Sequence, residues 1–128
     1  MTFSIVARCE TSGQVGMAVT SSSLCVASRC LWTRWDAGVV ATQNLTDPSL
    51  GPLGLDLMAS GRSAEQALAM LVAGDPGHPY RQLQLMDRKG GIAQYTGSKA
   101  LPIVAGARGR ECAAAGNLLA DAGVPQAM

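Results

Sequence analysis

The chain opens MTFSIVAR, with a threonine directly behind the initiator methionine. Initiator methionine is generally removed before a small second residue, which would leave Thr2 with a hydroxyl and a free α-amine. A threonine hydroxyl is a weak nucleophile and needs a base within hydrogen-bond reach. An unperturbed α-amine titrates at about 7.7–8.0, well placed for proton transfer near neutral pH. One residue then carries nucleophile and base, and the chemistry is acyl transfer from an amide through a threonyl ester. Threonine is also a good strand former, so the same letter fits a strand that starts at position 2 and does no chemistry.

Acyl transfer further needs oxyanion donors and orienting polar groups. Ser4 and Arg8 share the Thr2 face of the strand; at about 7 Å along the strand, Ser4 can bound a pocket but not act as the base. Ser21 and Ser22 leave the neighbouring strand opposite Thr2, where turn hydroxyls also bond backbone. Gln43, Asn44 and Thr46 leave a later strand and offer amide and hydroxyl donors, or the ordinary turn chemistry of a loop. Arg81 and Gln82 open a second hairpin, where a buried Arg81 could clamp a substrate carboxylate and an exposed one would guard a strand end. Asn117 follows Gly116 and suits a left-handed turn.

Other chemistries lack their residues. The single histidine, His78, lies in the turn-like GDPGHPY, which argues against a Ser-His-Asp triad. There is no P-loop, no G-x-G-x-x-G, no G-x-S-x-G elbow and no acidic metal cluster. Cys9, Cys25, Cys30 and Cys112 contain no C-x-x-C and read as free thiols, with Cys25 or Cys30 the reactive exception; no metal site and no cofactor is expected.

The 128 residues fit one domain, and 48% hydrophobic with 15% charged residues describes a compact globule. A formal charge of +1, with few aromatics and no basic stripe, gives a nucleic-acid partner no support. No apolar run approaches the roughly 20 residues of a membrane span, and no secretory signal opens the chain. The expectation is a cytoplasmic protein with a small-molecule substrate.

Several elements must position these residues. Residues 2–9 alternate, Thr11-Ser12-Gly13-Gln14 turns, and Val15, Met17 and Val19 resume the alternation, so 2–21 is predicted as an antiparallel hairpin. Gly38–Gln43 is a third strand, discharging into Asn44-Leu45-Thr46-Asp47-Pro48. A helix is expected from Pro52 to Gly61. A second starts at the capping box Ser63-Ala-Glu-Gln66, with Ala64, Ala67, Leu68 and Leu71 on one buried face. RQLQLMDRKGGIAQYTG is a second hairpin, and strands, helices, then strands argue for an antiparallel α+β layered fold. Trp32 and Trp35, three apart in LWTRWD, suit core packing or an oligomer contact.

MTFSIVAR, GVVATQNLTDPSLGPLGLDLMASGRSAEQAL, YRQLQLMD, IAQYTG and AAAGNLL together resemble, in order over residues 2–128, an uncharacterised bacterial and archaeal family grouped with the N-terminal-nucleophile (Ntn) hydrolases. The resemblance implies a four-layer αββα sandwich with the nucleophile, Thr2, at the start of the first strand. It also implies an amidohydrolase acting on a small amide or acylated amino compound, and it brings Asn117 to the site through the Gly-Asn motif. Members of that family continue past the position of Met128 with further helix, a Gly-rich segment and a strand. The chain is then either a fragment or a shortened member with part of one sheet uncovered. From a different class comes a non-catalytic Ntn-like scaffold that binds a small ligand or assembles as a homo-oligomer, covering such an open edge with a second subunit.

Overall fold

Residues 2–21 fold as the hairpin their alternation predicts. In the computed structural model, which describes all 128 residues, β1 (Thr2–Arg8) pairs antiparallel with β2 (Val15–Ser21), and Thr2 lies opposite Ser21. On its other side β1 pairs with β8 (Cys112–Asn117), with Thr2 opposite Asn117, and β7 (Ala105–Gly109) completes the sheet in the order β2-β1-β8-β7. Hydrophobic alternation did not announce β7 and β8. AGARG and CAAAGN are built from alanine and glycine, weak strand formers that pair here because β1 offers a free edge.

The second sheet runs β3-β4-β5-β6, again wholly antiparallel. Its centre is β4 (Gly38–Asn44) against β5 (Arg81–Asp87), flanked by β6 (Ile92–Thr96) and the short β3 (Leu31–Arg34). LWTR is therefore a strand preceded by one turn of helix, α1 (Ala27–Cys30), and the run from Gly38 is the fourth strand in chain order, not the third. Gly38, at φ +135°, abuts the Met86 carbonyl, where a side chain would overlap backbone.

Helices α2 (Leu50–Ala59) and α3 (Ala64–Gly74) cover the outer face of this sheet. The first begins at Leu50, two residues before the proline that marked its expected start, and closes through Ser60. The second has the full capping box: Gln66 N–H donates to Ser63 Oγ at 3.2 Å, and Ser63 N–H donates to Gln66 Oε1 at 3.0 Å. Its Ala64, Ala67, Leu68 and Leu71 join Val40, Leu55, Leu83 and Leu85 in the larger core. Trp32 packs against this core, lying so close to Gly51 that any side chain there would overlap the indole, whereas Trp35 stands 87% exposed.

Between the sheets lies a smaller core of Val6, Val39, Ala41, Met86 and Ala113. Phe3 and Ile5 point the other way, and the outward face of the first sheet is covered only over β7 and β8, by Leu119 and the short α4 (Val124–Ala127). The chain thus builds three full layers, helices, sheet and sheet, where four were expected.

Candidate active site

The inner faces of the two sheets are joined by polar side chains. Ser4 Oγ donates to Gln43 Oε1 at 2.8 Å and accepts from Gln84 Nε2 at 2.9 Å. Gln43 Nε2 donates to Gln82 Oε1 at 2.8 Å and to the Ala115 carbonyl at 3.1 Å; Asn117 Nδ2 reaches the same Gln82 oxygen at 3.1 Å. Gln94 Nε2 donates to Gln84 Oε1 at 2.9 Å, carrying the network to the edge of the sheet. All of these except Gln94 are buried, and a buried amide is tolerated because its donors and acceptors are met.

At one end of this network, where β1 begins and β4 ends, a cavity of about 220 Å³ opens to solvent. Thr2, Ser21, Ser23, Val26, Arg29, Cys30, Gln43, Asn44, Leu45 and Thr46 line it. Six of the residues singled out in the sequence, Thr2, Ser21, Cys30, Gln43, Asn44 and Thr46, thus meet here from three strands, the one-turn helix α1 and a loop. They come together because β1 lies over β4, and the β1–β2 register sets Ser21 beside Thr2.

Thr2 Oγ1 lies 2.8 Å from Ser21 Oγ. The Ser21 hydroxyl donates its proton to the Met1 carbonyl at 3.2 Å and accepts from Ser23 N–H at 3.1 Å. With its one proton used, Ser21 is the acceptor for Thr2, whose hydroxyl therefore points at a serine oxygen. Ser22 lies outside the cavity; its Oγ accepts from the Met1 α-amine at 3.2 Å and its N–H donates to the Met1 carbonyl at 3.1 Å. Met1 itself is 45% exposed.

The other proposed residues fall into two groups. Ser4 and Asn117 do not line the cavity but belong to the buried network behind Gln43, Ser4 bonded to Gln43 and Gln84 and Asn117 to Gln82. Asn117 ends strand β8, and the left-handed turn conformation assigned to it belongs instead to Leu118, at φ +52°. Gln43 lines the wall, yet both amide protons are already donated. Asn44 is left-handed at φ +75°, and its side chain ties loops together by donating to the Tyr80 carbonyl and accepting from Leu101 N–H. Arg81 does not reach the cavity: it pairs with Asp75 at 2.8 Å and Asp47 at 3.8 Å and donates to the Leu45 carbonyl at 2.6 Å. Arg8 pairs with Glu111 at 3.1 Å at the far end of β1. Of the sequence-proposed residues in the wall, the least committed donor is the Thr46 hydroxyl, 3.5 Å from the Thr42 carbonyl and 3.6 Å from Cys30 Sγ.

Arg29 was not anticipated, because nothing in CVASRC marks a site. Cys9 also stands out: all four cysteines are free, and side-chain hydrogen bonds from Ser12 and Thr11 lower its exposed thiol to about 6. It lies in the β1–β2 turn, at the opposite end of β1 from Thr2. His78 bonds Tyr95 through Nδ1 at 2.7 Å and does not line the cavity. Larger depressions occur elsewhere, but none contains Thr2. No helix is long and apolar enough to cross a membrane.

These features define a two-sheet α+β domain with a hydroxyl-lined cavity at the start of its first strand. The chain belongs to DUF1028, a family of unknown function whose model matches residues 2–128. It is similar to a crystal structure of a DUF1028 protein, SPO2555 from Silicibacter pomeroyi, with 34% identity and a TM-score of 0.95. That likeness covers 98% of this chain and 58% of the other, so the chain spans little more than half the length of that protein. None of the curated proteins matches it.

Proposed function

We propose that this chain carries an N-terminal-nucleophile amidohydrolase site on an Ntn-type fold, with Thr2 as nucleophile and its own α-amine as base once Met1 is removed. The observation that carries the reading is the placement of Thr2 Oγ1 in a cavity wall, 2.8 Å from Ser21, at the exposed end of a strand. Removing Met1 deletes the carbonyl that holds the Ser21 proton and creates the amine one covalent bond away from it. Ser21 can then pass the Thr2 proton to the amine as the Thr2 Oγ–carbonyl carbon bond forms. Collapse of the tetrahedral intermediate breaks the C–N bond and the amine returns the proton to the leaving nitrogen. Water next cleaves the ester. The Thr46 hydroxyl is the candidate oxyanion donor, and Ser4, Gln43, Gln82 and Asn117 hold the walls in place.

Intact mass before and after treatment with a β-lactone electrophile tests this. The expected result is a chain lacking Met1 that gains one adduct, on Thr2, and a Thr2→Ala variant that folds but gains none. Retention of Met1, or equal labelling of the variant, would sink the reading.

A second reading, a non-catalytic domain that assembles with copies of itself, is favoured by Phe3 and Ile5, only partly buried on the outward face of the first sheet. Sedimentation of the wild type and Ile5→Lys decides it: a monomer in both cases removes its basis.

A further inference from the structure

The cavity lining holds one charged side chain, Arg29, and no carboxylate. Its Nη1 donates to the Leu24 carbonyl at 2.8 Å and to the Cys25 carbonyl at 3.5 Å, both at the turn where Cys25 adopts φ +52°. Those carbonyls orient the guanidinium without neutralising it. Arg8, Arg34, Arg81 and Arg110 have acidic partners, whereas Arg29, like Arg62, Arg88 and Arg108, takes part in none of the ion pairs, and of these four it alone lines the cavity. Its Nε and Nη2 make no hydrogen bond within the protein, which leaves the edge of the fork that matches a planar carboxylate. A cavity of about 220 Å³ is smaller than the sites that enclose drug-sized molecules, and it suits a compound of amino-acid size. Val26 and Leu45 add short apolar walls beside the hydroxyls.

We infer that Arg29 is the substrate-anchoring residue of this cavity and that its substrate is a small acylated amino compound bearing a carboxylate. The inference deepens the hydrolase reading and rests on it, but binding can be tested without catalysis. Carboxylate capture by Arg29 fixes one end of the substrate while the acyl carbon meets Thr2.

The experiment uses Thr2→Ala protein and a panel of N-acetyl amino acids, each with its carboxamide and its phosphonate analogue, followed by NMR titration. At least one acid is expected to bind roughly tenfold more tightly than its carboxamide, the scale of a charge-assisted pair. That preference should shrink as salt is raised, vanish in Thr2→Ala/Arg29→Met and survive in part in Thr2→Ala/Arg29→Lys. If no acid outbinds its carboxamide, including because none binds, the assignment is overturned. A phosphonate that outbinds every carboxylate overturns the substrate class. Failure of the lactone to label Thr2 in the wild type bears on the nucleophile alone, so the two ideas fail separately.

Discussion

Ser21 shows how much a single register assignment decides. Without the β1–β2 pairing it is one serine in a run of three; with it, its hydroxyl lies within hydrogen-bond distance of Thr2 Oγ1, where the proposed relay needs it. Ser21→Ala is expected to slow labelling of Thr2 by a β-lactone by about tenfold to a hundredfold, within the range of general base catalysis. Its fold should be nearly unchanged, because the lost bonds lie at the surface end of the strand. Labelling at the wild-type rate would mean that the amine takes the proton directly and that Ser21 only lines the cavity. The serine was legible as a candidate because strand pairing is local. Arg29 was not legible, since its meaning comes from the absence of any nearby acid, a property of the folded surface.

Strands β4, β5 and β6 hold the site through the glutamines that face the other sheet. In RQLQLMD the alternation of leucine and glutamine reads as a strand with one apolar face, and the leucines do face the helices. The glutamines do not face water: Gln82 and Gln84 are fully buried against β1 and β8. Replacing Gln84 with leucine would remove its bonds to the Ser4 carbonyl and hydroxyl and one of the three acceptors of Gln94 Nε2. The expected loss is roughly 1–2 kcal/mol, the scale of deleting buried hydrogen bonds whose groups keep other partners, read as a lower urea midpoint at unchanged slope. A loss below about 0.5 kcal/mol, the size of an ordinary surface change, would show that the network is not what joins the sheets here.

Across the whole molecule, Arg81 links the end of the helical layer to the cavity rim. It grips Asp75 beyond α3 and the carbonyl of Leu45, which lines the cavity. The hydrogen bond from Arg81 holds the Asp75 carboxyl below its ordinary value, so the folded state favours the ionised form. The contribution is therefore present above the unfolded value of about 3.9 and lost as pH falls through the lower folded value. Thermal melts of the wild type and Asp75→Asn should differ most at pH 6–7 and converge below about pH 4. A difference that stays constant down to pH 3 would mean that packing, not ionisation, accounts for it.

The sequence by itself determined the first hairpin to within a residue of its register, the capped helix after Ser63 and the second hairpin, because each rests on contacts within a few residues or on a clear apolar period. It also brought Thr2 and Ser21 into view together. Only the tertiary structure decided that the alanine-rich 105–117 segment forms two strands, since pairing with β1 overrides a weak local preference. Stacking the sheets turned glutamine faces inward, spent Asn44 and Arg81 on holding loops, and set Arg29 in the cavity that Thr2 lines. Those outcomes depend on which polar groups find partners across the fold, and no local spacing in the chain encodes that.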